Sequence, residues 1–159
     1  MIWPVLLGLG LALGAYEGIH FSEDLKERRE VYALARAYAD ERRKPLLVVG
    51  APKLNFNHPG GDVTIDIDPT WLKYCPNGEI ADVRDIPYPD KYFGASYCSH
   101  VLEHLFTVDD CYQALSELDR VSDGVFIVVP DKSSIAAWFW PGHHLWVIPS
   151  ENGIVIEQR

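Results

Sequence analysis

The sequence predicts an α/β domain with an open, mainly parallel sheet, closed by a C-terminal antiparallel hairpin and preceded by one N-terminal transmembrane helix. Three observations predict it. Residues 1–16 contain no charged side chain. Residues 46–49 (LLVV) and 125–129 (VFIVV) are continuous apolar runs, as strands buried on both faces require. Helical stripes alternate with the strand candidates, and the last two candidates flank a turn-rich segment.

The 159 residues suit one domain rather than two. A composition 48% hydrophobic and 23% charged excludes a disordered chain. The net charge of −9 excludes a nucleic-acid backbone binder. That charge is unevenly spread. Residues 45–159 carry seven bases and 16 acids, whereas residues 1–21 carry only Glu17.

A helix over residues 1–21 reaches about 31 Å, enough for a bilayer core. A cleaved signal peptide is the rival, but no Lys or Arg precedes Lys26 and the segment has a poor cleavage site. A retained anchor places Trp3, Tyr16, His20 and Phe21 at interfacial depth, with Glu17 accommodated near one end. The bases that follow it, from Lys26 to Lys44, place the C-terminal domain in the cytoplasm by the positive-inside rule. Cys75, Cys98 and Cys111 agree, being odd in number and without a CxxC pair.

Residues 22–44 form a separate linking helix. Ser22 caps it, Glu23 and Asp24 occupy its first turn, Arg42, Arg43 and Lys44 its last, and Pro45 stops it. Val31, Leu34, Ala35 and Tyr38 form its buried stripe. Residues 45–159 make the α/β domain, with weaker strand candidates at 63–67, 80–83 and 95–99. Thr107 caps a helix whose stripe is Val108, Cys111, Leu115 and Leu118. Residues 145–148 and 154–157 form the hairpin.

Residues 82–90 (DVRDIPYPD), Tyr92-Phe93, residues 99–105 (SHVLEHL), 114–121 (ALSELDRV) and 125–130 carry a resemblance. Together they resemble the middle of class I S-adenosylmethionine-dependent methyltransferases of the type 11 kind, which have a Rossmann-like sheet. The resemblance implies S-adenosylmethionine as cofactor. It implies that Gly50 opens the cofactor loop and that Asp66 holds the ribose hydroxyls. Asp82 and Val83 would border the adenine, and Ser99 and His100 would line the pocket. A carboxylate suits a vicinal diol, and ligands sit at the carboxyl ends of parallel strands.

The loop itself departs from the family. It reads Gly50-Ala51-Pro52-Lys53-Leu54-Asn55-Phe56, with Pro52 removing a backbone N–H, and Val48 stands where the family has an acid. Residues 51–61 are too few and too rich in Pro and Gly for a crossover helix. A full fold needs roughly 155 residues, more than 45–159 supplies. The sheet is therefore expected to be reduced, with helices missing from the first crossover and from between the last two strands.

These departures favour a catalytically degenerate, membrane-anchored accessory subunit. It would contact lipid through residues 1–21 and bind other membrane-protein subunits, not nucleic acid. The alternative is an active methyltransferase on a membrane-proximal small molecule or lipid, with Asp66 and Asp82 holding the cofactor. A distant third reads His100, Glu103 and His104 as the HxxEH of a zinc peptidase. His143-His144, among Trp138, Phe139, Trp140, Pro141 and Trp146, reads equally as a substrate rim, a metal patch or an apolar plug.

Overall fold

The computed structural model describes residues 3–52, 59–151 and 153–159, with side chains from residue 12 onward. Helix α1 (Trp3–Arg42) runs unbroken for 40 residues. Ser22 therefore lies inside a helix rather than capping one, and 22–44 is not a separate element. Good helix formers follow it, so a capping residue alone does not divide the helix. The helix ends at Arg42, where Arg43 adopts a positive φ of 53° and donates its N–H to Asp40 at 3.0 Å.

Among the described residues, no helix is long and apolar enough to cross a membrane. The expected span includes residues 1 and 2 and the side chains of 3–11, which lie outside them. Glu17 is accommodated by partners within the chain. Its carboxylate accepts hydrogen bonds from the backbone N–H of Ile135 (2.6 Å) and Ala136 (3.2 Å).

Five strands form one parallel sheet: β1 (Leu46–Val49), β2 (Val63–Asp66), β3 (Gly78–Ile80), β4 (Ala95–Ser99) and β5 (Val125–Val128). Their order is β3-β2-β1-β4-β5. The central register pairs Leu47 with Val63 on one side and with Ser96 on the other. Strand β1 is buried at every position, as its continuous apolar run requires, and so is β4; β5, expected to be buried on both faces, is half-buried except at Val128 because it lies at the sheet edge. The third strand lies at 78–80 rather than 80–83. Helix α2 (Pro69–Leu72) and helix α4 (Ile135–Phe139) are short, whereas α3 (Val108–Val121) has 14 residues. Thr107 caps α3 by accepting from the Asp110 N–H. Strands β6 (Leu145–Ser150) and β7 (Gly153–Gln158) pair antiparallel as a separate hairpin. The expected absence of a helix in 51–61 cannot be placed, because 53–58 fall outside the described residues.

Helix α1 covers one face of the sheet. Ala35 and Ala39, both fully buried, pack with Leu46, Val48, Ala95, Tyr97 and Val128. Leu34 is 60% exposed, so the stripe turns about one position away from the one expected. Small residues win because the approach is close. A Cβ on Gly94 would stand 2.8 Å from Ala39 Cα, and one on Gly124 would stand 2.5 Å from the Tyr38 ring. The opposite face buries Leu47, Val49 and Cys98 against Cys111, Ala114, Leu118 and Val121 of α3 and against Leu145 and Val147 of the hairpin.

The motif-rich stretch 82–93 is a loop fastened to α3 by two arginines. Arg84 bonds Asp82 in two places and Asp110 at 2.6 Å. Arg120 bonds Glu117, Asp90 and the carbonyls of Ile86 and Tyr88, while Glu117 accepts the Ile86 N–H at 2.9 Å. These planar forks satisfy loop carbonyls that a strand ladder would otherwise take.

Three expected outcomes test this arrangement. Gly94→Ala should cost about 1–3 kcal/mol in urea unfolding because backbone cannot retreat. Gly14→Ala, in open space on the same helix as Ala39, should stabilise by about 0.5–1 kcal/mol. The Glu117 carboxyl is held below its ordinary 4.5 by Arg120, against its burial, and further by the Ile86 N–H. A depressed carboxylate stabilises above its unfolded pKa, and that contribution fades as pH falls through its folded value. Glu117→Gln should therefore flatten the loss of melting temperature below pH 4.5.

Candidate functional site

A cleft of about 850 Å³ opens at the carboxyl ends of β1, β2 and β4. The chain leaves β1 toward β2 and β3 and returns to β4 on the other side, so this is the topological switch point where open α/β sheets take ligands. All six residues expected to surround a cofactor line it: Gly50, Asp66, Asp82, Val83, Ser99 and His100.

Gly50 leaves β1 with φ at +89°, and a Cβ there would meet Val101 Cγ2 at 2.7 Å. Its N–H donates to Ile65 at 2.9 Å, and the next N–H, of Ala51, donates to Asp66 Oδ2 at 2.8 Å. The other Asp66 oxygen accepts from the Asp68 N–H at 2.9 Å. Asp66 thus ties the ends of β1 and β2 together while keeping acceptor capacity on both oxygens. Asp82 is committed differently. The Arg84 fork holds its carboxyl well below the usual carboxylate range, against partial burial. Its charge is spent on the loop, and Val83 beside it is buried at 6% exposure.

His100 sits at the end of β4 with φ at +54°, an uncommon conformation for a side chain of this size. Its Nε2 meets Asp24 Oδ1 at 2.8 Å and its Nδ1 lies 3.3 Å from Glu103 Oε1. Burial pulls its pKa down, but these two carboxylates outweigh it and hold the pKa above 6.5. Asp24 is in turn kept low, despite burial, by His100 and by Arg28 at 2.6 Å.

Asp24 and Arg28 reveal what sequence reasoning missed. Glu17, His20, Phe21, Asp24, Leu25 and Arg28 of α1 form one wall of the cleft. They were assigned to an anchor and a linker. Their spacing of i, i+3, i+4, i+7, i+8 and i+11 is a single helical face, a signal available in the sequence but masked by the assumed break at Ser22.

The HxxEH string does not make a peptidase site. That chemistry needs both histidines one turn apart on an α-helix. Here His100 turns off the strand, and Leu102–His104 form a single 3₁₀ turn. The tryptophan cluster divides. Trp146 is 5% exposed and packs on Trp138 at 4.8 Å under the Arg159 guanidinium, whereas Trp140 and His143 reach the cleft. Phe139 stays 82% exposed.

A family model described as a methyltransferase domain matches residues 52–128. Residues 52–128 are thus similar to a methyltransferase domain, in agreement with the class I resemblance that the motifs between 82 and 130 carry. A search of curated proteins returned no match. The methyltransferase domain as matched contains β2 to β5 and α3. Strand β1, the long helix α1 and the hairpin lie outside it, although α1 and Gly50 both contribute to the cleft.

Asp24→Ala should leave His100 and Arg28 without their shared carboxylate, costing about 1–3 kcal/mol in chemical denaturation. Glu23→Ala, exposed one residue earlier, should cost nothing measurable.

Proposed function

We propose that this chain is an active S-adenosylmethionine-dependent methyltransferase whose cofactor binds in the cleft above β1, β2 and β4. The observation that carries the reading is the convergence of Gly50, Asp66, Asp82, Val83, Ser99 and His100 on one cleft of adequate volume. The residues fit the cofactor. Gly50 offers backbone without a Cβ, and Asp66 retains lone pairs for ribose hydroxyls. Val83 supplies apolar surface for an adenine, with the Asp82–Arg84 pair beside it. When bound, S-adenosylmethionine supplies an electrophilic methyl group on a sulfonium sulfur. The chain's own part is to bind, to orient and to exclude water, for which Phe21, Leu25, Val101 and Leu105 furnish apolar walls.

The degenerate accessory-subunit reading rests on Pro52 and on the shortness of the domain. The second ground weakens because α1, which precedes β1, supplies one wall of the cleft. The acceptor we favour is an apolar small molecule or lipid at a membrane surface. Leu13, Ile19, Phe21 and Phe139 are all more than half exposed and would suit such a surface.

Calorimetric titration of the full chain with S-adenosylmethionine and S-adenosylhomocysteine tests the reading. Binding in the micromolar range is expected, weakened about tenfold or more by Asp66→Asn. No saturable heat from folded wild-type chain would return the accessory-subunit reading to first place.

A further inference from the structure

Glu103 is buried at 1% exposure, and its carboxylate has no well-aligned hydrogen bond among the described residues, the nearest donor being His100 Nδ1 at 3.3 Å from Oε1. An ionised carboxylate in that position is costly unless a cation or a donor compensates it. Besides His100, two further imidazoles converge on it. His104 Nε2 lies 4.0 Å and His143 Nε2 lies 3.9 Å from Glu103 Oε1, too far for hydrogen bonds. The three ligand atoms stand within 4.8 Å of one another.

The other ring nitrogens decide the tautomers. His104 Nδ1 is 2.7 Å from the Gly142 carbonyl, and His143 Nδ1 is 3.2 Å from the Ala137 carbonyl. A carbonyl only accepts, so both Nδ1 atoms carry the proton and donate it. Each neutral imidazole then turns the lone pair of Nε2 toward Glu103. Two lone pairs and a carboxylate facing one another repel, and a divalent cation between them removes the repulsion. A backbone carbonyl on the distal nitrogen is also the usual support of a metal-bound histidine.

We propose that Glu103, His104 and His143 form a binding site for a divalent transition metal of the Zn²⁺ class, set in the same cleft. Two histidines and one carboxylate are a competent zinc donor set that leaves a position open. Bonds of about 2.0–2.1 Å put tetrahedral ligands roughly 3.3 Å apart, so the Glu103–histidine pairs must close by about 0.6–0.7 Å and the two histidines by up to about 1.5 Å. The framework for that closure exists. The His144 N–H donates to the Glu103 carbonyl at 2.8 Å, clamping the 140–144 loop to the 3₁₀ turn. His100 is not a ligand: its Nε2 is engaged by Asp24, and its Nδ1 steadies the Glu103 carboxylate. His104 and His143 both line the cleft, so the open position would accept an oxygen or nitrogen donor of a molecule bound there.

The site is distinct from the peptidase pattern, since His143 comes from 40 residues downstream and His100 takes no part. It is also independent of the cofactor reading, and its test uses no S-adenosylmethionine. The full chain, freed of metal with a chelator that is then removed, is titrated with Zn²⁺ by calorimetry and with Co²⁺ by visible absorption. One equivalent should bind, and Co²⁺ should give ligand-field bands of four- or five-coordinate intensity. His104→Ala, His143→Ala and Glu103→Gln should each weaken Zn²⁺ binding on the order of 100-fold. His144→Ala, whose ring stacks on Phe106 instead, should bind as the wild type does. Circular dichroism confirms folding of each variant. No saturable submillimolar Zn²⁺ binding by folded wild-type chain would overturn the proposal. So would undiminished binding in a folded His104→Ala/His143→Ala double variant.

Discussion

The close seating of α1 on the sheet is the constraint on which the remaining architecture depends. Ala35 and Ala39 bring the helix backbone against Gly94 at a distance no larger side chain would permit. Once seated, the helix buries one face of β1, β4 and β5, and its earlier turns project across the carboxyl ends of the strands. Tyr97 reinforces the seat by donating its hydroxyl to the Arg28 carbonyl at 3.0 Å. A short domain thereby gains a cleft wall from a segment that precedes its first strand.

The cleft is polar where the strands end and apolar where α1 and the 3₁₀ turn approach. Its charges are arranged in chains rather than as isolated pairs. Arg28, Asp24, His100 and Glu103 follow one another from the helix into the sheet, and the His104 and His143 rings face Glu103 beyond hydrogen-bond reach. Glu17 closes the far side by accepting the first N–H groups of α4, which fastens 134–137 to α1. The cofactor residues and the histidine cluster thus share one compartment while drawing their support from different elements.

Much of the fold was legible because the signals are local. The continuous apolar runs at 46–49 and 125–128, the Thr107 cap and the hairpin turn each follow from the chemistry of neighbouring residues. Gly50 and Asp66 are pointed to by the resemblance rather than by local chemistry, and both line the cleft. Three readings went astray for one reason. Ser22 is a capable cap and Leu34 a plausible core residue, but the helix that runs through both decides them, as the anchor and linker split is decided by that same continuous helix. The HxxEH string shows the same limit, since its meaning depends on a helix that β4 and the following turn do not make.

The sequence by itself determined the parallel sheet, the Thr107-capped helix and the C-terminal hairpin, because side-chain periodicity and turn chemistry act over a few residues. Only the tertiary structure decided that α1 is a wall of the cleft, that Asp82 is consumed by Arg84, and that His143 joins Glu103 and His104. Those outcomes depend on which surfaces meet and at what distance, and close packing between elements far apart in the chain settles that.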